Sequence, residues 1–393
     1  MNTLLLNTEI QEFIAEHLNA NIASLLLKGT NFPDIETKAI IEQIEAKKRC
    51  EKKLATWFRG KNIYYPNKLN IEQTSSEITA EYKSSLVNGE SIIDLTGGFG
   101  VDCYYFSKVF KTVEHCEINE DLSGIVAHNY KQLAVKNIKT HSIDGISHLK
   151  NSNKTYDWVY IDPSRRHDSK GKVFFLNDCL PNVPEHLDLL FKHSKNILIK
   201  TSPLLDFSVG INELKHVKTI HVVAVNNEVK ELLWVLEAGF TEDISIKTIN
   251  LKKDTEDVFN FSLDNEKEAN SSYSQPLAYL YEPNSAVLKA GGFESISSQL
   301  QVFKLHKHSH LYTSNTLIHF PGRRFKVEAI IPYNKKDLKK LAIDKANIST
   351  RNFPETVEQL RKKLKIKDGG NCYLFFSTDA EDHKIVLKTS KVD

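Results

Sequence analysis

The chain has 393 residues, of which 40% are hydrophobic and 26% are charged, and its formal net charge is +2. This length exceeds what one ordinary hydrophobic core needs, so two to four domains are expected. The five scattered cysteines contain no Cys-x-x-Cys pair, and the sequence has neither a signal-peptide pattern nor a long apolar run. These features argue against a disulfide framework, a zinc site or a membrane span, and we expect a cytoplasmic protein without a bound metal.

Residues 1–85 are predicted to form a helical region. From Ile35 to Phe58, apolar residues recur at helical spacing among many lysines and glutamates. A further helix is predicted from Ile78 to Leu86, with Ser75 or Ser76 as its N-cap.

The stretch from Ser91 to Asp102 predicts a strand, a glycine turn and the start of a helix. Three glycines lie between Thr96 and Gly100, and glycine lets a ligand approach the backbone closely. The next predicted strand ends at Glu117, seventeen residues after Gly100. In nucleotide-binding α/β folds, a carboxylate about 20 residues beyond the glycine turn accepts ribose hydroxyls. Taken alone, the glycines are equally consistent with an ordinary turn between buried elements.

A later strand, Trp158 to Asp162, is stopped by Pro163, because proline cannot continue a sheet ladder. The chain is therefore expected to turn out at the carboxyl end of this strand, where ligands of parallel sheets bind. Strands and helices alternate through residues 86–263, which predicts a mainly parallel sheet. This domain ends in two strands, Thr219 to Val225 and Glu231 to Leu236.

Asp94-Leu-Thr-Gly-Gly-Phe-Gly100 resembles the first motif of class I S-adenosylmethionine-dependent methyltransferases. Asp162-Pro163-Ser164-Arg165 is similar to the Asp-Pro-Pro-Tyr and Asp-Pro-Pro-Arg motifs of the members that modify nucleic acids. The resemblance covers roughly Gln73 to Gly239. It implies an α/β fold with a seven-stranded Rossmann-like sheet, and S-adenosylmethionine as cofactor.

The resemblance also implies which residues form the site. Glu117 would bind the ribose, Asp144 would lie near the adenine amine, and the serines before the first motif would close over the methionine end. A plain helix cap explains the serines equally well. The implied cofactor-binding residues are Asp94, Thr96, Gly97, Gly98, Gly100, Glu117, Ile118, Asp144, Ser75 and Ser76.

Asp162, Pro163 and Arg165 are the catalytic candidates that the resemblance implies, with Asp162 holding a nucleophilic nitrogen. The chain departs here from the enzymes that methylate exocyclic amines, which place an aromatic residue after the second proline to stack on the base. This chain has Ser164 in place of that proline, followed by Arg165 and Arg166. Arg165 or Arg166 could stack or bind phosphate instead, and structural ion pairing is the alternative. Cys179 lacks the sequence context of a methyltransferase nucleophile and is expected to be a buried structural residue.

Beyond a predicted linker, Asp264 to Gln275, residues 276–330 predict a ferredoxin-like module. Residues 331–393 resemble the THUMP-like domain found behind a group of bacterial methyltransferases. Gln301 to Asp393 contains 19 Lys and Arg against 10 Asp and Glu, a net charge of +9, while the rest of the chain carries −7. A basic module is typical of nucleic-acid binding, although a solvated lysine-rich surface explains it equally well.

The candidate RNA-binding residues lie in a basic turn and two short basic helices, of which the first also contains Lys339 and Lys340. They are Arg323, Arg324, Lys335, Lys336, Arg361, Lys362 and Lys363. The expected activity is methyl transfer to a nucleobase of structured RNA, ribosomal or transfer. The alternatives are a methyltransferase acting on a protein or small molecule, and a non-catalytic RNA-binding protein with a methyltransferase fold.

Overall fold

A computed structural model of the chain describes residues 1–165, 175–338 and 343–392. Arg166, Lys339 and Lys340, which the sequence analysis considers, lie outside the described residues. The chain divides into two compact units. The first comprises Met1–Val217 and Leu233–Thr241, and the second comprises Lys218–Leu232 and Glu242–Asp393.

The first unit begins with the helices that the sequence predicts. A short 3-10 helix, Thr3–Leu6, precedes α1, and a second one spans Leu176–Asp178. The α-helices are α1 (Thr8–Glu16), α2 (Ile22–Lys28), α3 (Thr37–Lys53), α4 (Ala55–Arg59), α5 (Lys68–Gln73), α6 (Glu77–Ser85), α7 (Val101–Phe106), α8 (Glu120–Gln132), α9 (Gly145–Lys150), α10 (Val183–His193) and α11 (Phe207–Glu213).

Apolar residues at helical spacing hold the N-terminal helices together. Ile10 and Ile14 of α1 form one buried cluster with Ile40 and Ile44 of α3. None of the helices in the described parts of the chain is both long and apolar enough to cross a bilayer.

Parallel strands form the centre of the first unit. Strand β1 is paired on one side with β2 and on the other with β4, β2 continues to β3, and β4 to β7. A separate small hairpin joins β5 to β6. The strands are β1 (Ser91–Asp94), β2 (Thr112–Glu117), β3 (Ile138–Ser142), β4 (Trp158–Ile161), β5 (Ser164–Arg165), β6 (Cys179–Leu180) and β7 (Asn196–Thr201).

The closing pair of strands is a hairpin of β8 (Val217–Val225) and β9 (Glu228–Glu237). Its two turn residues, Asn226 and Asn227, have φ values of +50° and +65°, as a two-residue type I′ turn requires. Within a nine-stranded sheet, these strands have the order β8-β9-β7-β4-β1-β2-β3. This order, with β9 antiparallel to β8, confirms the predicted seven-stranded sheet.

Two further strands, β10 (Ser245–Leu251) and β11 (Glu256–Ser262), were not predicted. Strand β10 lies parallel to β8, and β11 pairs antiparallel with β10.

The polar stretch predicted as a linker begins with a helix, α12 (Leu263–Glu268), whose N-terminus is capped by the Ser262 side chain. The carboxylate of Glu266 in α12 accepts hydrogen bonds from the amides of Glu294 and Ser295. Such tertiary contacts stabilise a helix that lacks apolar periodicity.

The rest of the second unit contains a seven-stranded sheet of order β13-β14-β12-β15-β18-β17-β16. Buried Leu280, Phe325 and Phe375 form one core against it, and Leu360, Leu374 and Phe376 belong to another. The elements are β12 (Tyr279–Pro283), α13 (Ser285–Ala290), α14 (Phe293–Leu300), β13 (Phe303–Lys304), β14 (Tyr312–Ser314), β15 (Gly322–Pro332), α15 (Lys335–Leu338), β16 (Asn347–Thr350), α16 (Val357–Leu364), β17 (Cys372–Thr378) and β18 (Lys384–Val392).

Candidate functional site

The glycine turn follows β1 and lies against the ends of neighbouring strands. The amide of Gly97 donates to the carbonyl of Cys116 at 2.8 Å. Gly100 has φ +78°, which glycine adopts without strain. A Cβ at Gly97 would lie 2.2 Å from the His115 ring, and one at Gly100 would lie 2.2 Å from the Tyr130 hydroxyl. Side chains are therefore excluded where the turn meets β2 and α8.

The outer side of the same turn is open. Among the residues that the structure describes, a Cβ at Gly98 would meet only the carbonyl oxygen of Thr96, at 3.8 Å. A ligand can thus approach the backbone at Gly98, whereas the glycines on either side are packed against protein.

Glu117, at the end of β2, holds this turn in place. One carboxylate oxygen accepts from the amide of Gly98 at 2.9 Å, and the other accepts from the amide of Asn119 at 2.8 Å. A carboxylate has about four acceptor positions, so Glu117 retains capacity for two ligand hydroxyls. The next residue, Ile118, is 73% exposed despite its apolar side chain. An acceptor, an open glycine backbone and an exposed apolar side chain together suit the ribose and base of an adenosine group.

Three of the remaining cofactor candidates, Asp144, Ser76 and Ser75, form hydrogen bonds within the protein. The Asp144 side chain caps α9, accepting from the amide of Ser147 at 2.8 Å. The Ser76 side chain caps α6, as predicted. Ser75 is buried, and its hydroxyl donates to the carboxylate of Asp102 at 2.9 Å.

Sequence reasoning missed a buried charged network around Ser75. The Lys83 ammonium, which has no exposed surface, lies 3.2 Å from the Asp102 carboxylate and 3.1 Å from the Ser75 hydroxyl. The Tyr160 hydroxyl donates to the same carboxylate at 2.9 Å. The network joins α6, α7 and β4 directly behind the glycine turn. In the sequence, this network was indicated only by a lysine on the apolar face of α6.

Asp94, the last residue of β1, is a second buried acid beside this network. Its carboxylate accepts from the amide of Thr96 at 2.8 Å and from the thiol of Cys103 at 3.3 Å. Burial, assisted by the negative charge of Asp102, raises the pKa of Asp94 to about 8. Burial therefore favours the protonated form of Asp94, whose contacts with Thr96 and Cys103 shape the turn.

Stability should depend on pH through Asp94. Between its ordinary pKa of 3.8 and its folded value of about 8, the folded chain retains a proton that the unfolded chain has released. The free energy of unfolding therefore falls as pH rises through this window. In Asp94→Asn that contribution disappears, so urea unfolding should show a smaller loss of stability from pH 5 to pH 8 than in the wild-type chain.

Asp121→Asn is the matched control, because the Asp121 side chain is 83% exposed. It should follow the wild-type pH profile. If Asp94→Asn also followed it, Asp94 would titrate at its ordinary pKa in the folded chain.

Asp162 lies where the sequence predicts, just beyond the end of β4 and beside the glycine turn. Its amide donates to the Thr96 hydroxyl at 2.7 Å. Its carboxylate, 30% exposed, is bound at 2.5 Å by the ammonium of Lys200, which comes from the neighbouring strand β7. The sequence analysis predicted Lys200 only as part of a strand. The one indication of its contact with Asp162 was a lysine at the carboxyl end of an otherwise apolar strand. The pair provides a partly exposed acceptor with a fixed direction.

The other candidates of this motif occupy different environments. Pro163 is buried, and Arg165 lies in β5, opposite Cys179 of β6. Cys179 has no exposed surface, which agrees with its prediction as a structural residue.

The basic candidates in the second unit fall into two groups. Lys335, Lys336 and Lys362 are exposed. The others are engaged: Arg323 with the buried carboxylate of Glu282, Arg324 with the carbonyl of Ile318, Arg361 with the carbonyl of Ala346 and the carboxylate of Asp368, and Lys363 with Tyr333 and Glu355.

The second unit also contains a basic cavity of about 400 Å³. Its lining includes four cationic residues, Lys252, Arg323, Arg324 and Lys391, and one acid, Asp257. Lys252 and Asp257 form an ion pair at 2.7 Å. The lining side chains carry a net charge of +3, part of which is offset by the Glu282 carboxylate that binds Arg323. The remaining positive charge suits an anionic ligand such as phosphate.

The C-terminal part of the chain is similar to two known domain families. Residues 279–321 match a ferredoxin-like domain family and residues 322–391 match the THUMP domain-like family. No curated protein matches the chain. A crystal structure of a proposed methyltransferase from Porphyromonas gingivalis W83 is 32% identical over 100% of both chains, with a TM-score of 0.90.

Two other solved structures are similar over part of the chain. TrmK of M. capricolum, in complex with S-adenosyl-homocysteine, is 15% identical over 42% of this chain and 70% of that chain, with a TM-score of 0.33. An rRNA methylase from Streptococcus thermophilus is 14% identical over 41% and 93%, with a TM-score of 0.31.

Proposed function

Since the chain belongs to the family of class I S-adenosylmethionine-dependent methyltransferases that carry a C-terminal THUMP-like domain, we propose that it methylates a nucleobase of structured RNA. The observation that carries this proposal is the basic C-terminal part of the chain. Its net charge of +9 lies largely within the THUMP-like match, and its exposed lysines suit phosphate contacts.

We assign the cofactor to the open side of the glycine turn. Glu117 would bind the ribose, and Ile118 would pack on the adenine. Asp144, already the cap of α9, would lie near the adenine amine, while Asp94 and Ser75 would support the pocket wall from behind. S-adenosylmethionine supplies an electrophilic methyl group, so the protein's main task is to place the nucleophile in line.

Asp162 is assigned to that task. Its carboxylate would accept a hydrogen bond from the amine of a base and so point the nitrogen into the site. Lys200 would keep the carboxylate in this direction when no substrate is bound. A base can reach Asp162 only from a single-stranded or flipped nucleotide. The basic cavity and the exposed lysines would hold the rest of the RNA through its phosphates.

The RNA assignment predicts a strong salt dependence. Replacing Lys335, Lys336 and Lys362 with Gln should weaken RNA binding and reduce the slope of log affinity against log salt by about 2, if each contact contributes roughly 0.7. Arg361 is left unchanged, because its bonds to Ala346 and Asp368 give it a structural role. Fluorescence anisotropy with a labelled RNA hairpin, measured over a range of salt concentrations, gives the slope.

The matched control replaces three exposed lysines of the N-terminal region, Lys28, Lys38 and Lys61, with Gln. It removes the same charge and should change the slope much less. Equal slopes in the two triple variants would contradict a role for the C-terminal lysines in RNA binding.

A further inference from the structure

Three metal-binding side chains meet at the edge of the first unit's sheet. One carboxylate oxygen of Glu114, Oε2, lies 3.0 Å from Nε2 of His141 and 3.3 Å from Nε2 of His148. All three atoms lie within 4.8 Å of one another. In a tetrahedral zinc site with bonds of about 2.0–2.2 Å, neighbouring ligand atoms are about 3.3–3.6 Å apart. From this geometry we propose that Glu114, His141 and His148 bind a divalent transition metal of the zinc type.

The environment of His141 supports a metal better than a simple hydrogen bond. Its Nε2 atom is shielded from solvent and, among the described residues, forms no hydrogen bond of acceptable angle, although Glu114 lies 3.0 Å away. A buried polar nitrogen without a partner is unfavourable. A metal ion between this nitrogen and the carboxylate satisfies both groups.

The proposed site is distinct from the cofactor site. Side chains alternate along a strand, so Glu114 and Cys116 of β2 point away from His115 and Glu117, which contact the glycine turn. In the register of β2 and β3, His141 lies opposite Cys116, on the same face as Glu114. His148 reaches this face from α9. The metal site does not depend on the RNA proposal.

Lys154 completes the surroundings of the carboxylate. Its ammonium lies 2.6 Å from the second oxygen of Glu114, Oε1, which leaves Oε2 for the metal. Partners of this kind fix the direction of a metal-binding carboxylate. The positive charge of Lys154 opposes a second cation, so the site should bind zinc less tightly than a site without it.

A metal here would tie the edge strand β3 and helix α9 to β2. Because the ion binds only the folded arrangement, it should raise the unfolding temperature in a concentration-dependent way. The cysteine pattern could not reveal this site, since its ligands are histidines and a glutamate from three separate elements.

The test titrates the chelator-treated full chain with Zn²⁺ in a calorimeter and records thermal unfolding with and without Zn²⁺. We expect one Zn²⁺ per chain and a higher unfolding temperature. His141→Ala and His148→Ala should each lose affinity by about tenfold or more. His128→Ala, which removes an imidazole that contacts the carbonyl of Asn62, should bind as the wild-type chain does.

Circular dichroism identifies any variant that fails to fold, and Glu114→Gln, which keeps the side-chain shape, then provides the third ligand test. The proposal is overturned if the wild-type chain takes up no Zn²⁺ at one per chain. It is equally overturned if both histidine variants bind Zn²⁺ unchanged, because the ion would then lie elsewhere.

Discussion

Replacing Asp162 with Asn should lower the turnover number for methyl transfer by about 100-fold or more, while affinity for S-adenosylmethionine stays nearly unchanged. The size follows from the role, since misplacing a reacting group by about 1 Å can cost a factor of about 100. Asn keeps the shape of the side chain but loses the charge that binds Lys200, which contacts the carboxylate at 2.5 Å. Single-turnover assays with saturating cofactor, alongside calorimetric titration of the cofactor, separate the two quantities.

Asp188→Asn is the control. The Asp188 side chain is 93% exposed, so this substitution should leave the turnover number and the affinity for S-adenosylmethionine unchanged. Lys200→Met should lower turnover less than Asp162→Asn, because Lys200 acts through Asp162. If Asp162→Asn weakened cofactor binding and left turnover at saturation intact, Asp162 would belong to the cofactor site.

Replacing Glu117 with Ala should weaken S-adenosylmethionine binding by about 10- to 150-fold, the equivalent of roughly 1.5–3 kcal/mol for a lost charged hydrogen bond. Two effects add: the ribose loses its acceptor, and the amide of Gly98 loses the bond that positions the turn. Glu117→Gln retains one acceptor oxygen and should fall between the wild-type chain and Glu117→Ala.

Asp188→Asn again serves as the control, because the Asp188 side chain is 93% exposed. Its cofactor affinity should equal that of the wild-type chain, with circular dichroism confirming the fold of every variant. Wild-type affinity in Glu117→Ala would show that the cofactor binds elsewhere.

The residues that stand at the ends of strands could be placed from the sequence. The glycine turn, Glu117 and Asp162 each stand at the end of a strand, and the order of parallel strands brings those ends together. The hairpin at Asn226 and Asn227 was also predictable, because the two residues of its turn are adjacent in the sequence.

Contacts between distant elements could not be predicted in this way. Lys83, Asp102 and Tyr160 come from three elements and meet only after folding. The same holds for Lys200 beside Asp162. Nothing in the sequence distinguished Arg361, which is engaged with Ala346 and Asp368, from its exposed neighbour Lys362.

The most direct test of the account follows a labelled methyl group from S-adenosylmethionine. The purified full chain is incubated with total RNA and, separately, with protein extract from the same cells, with Asp162→Asn as the low-activity control. We predict label in the RNA that is removed by ribonuclease and is at least about 100-fold slower to appear with Asp162→Asn. Label confined to the protein extract would contradict the RNA assignment. Label in neither fraction would contradict methyl transfer to RNA and methyl transfer to protein alike.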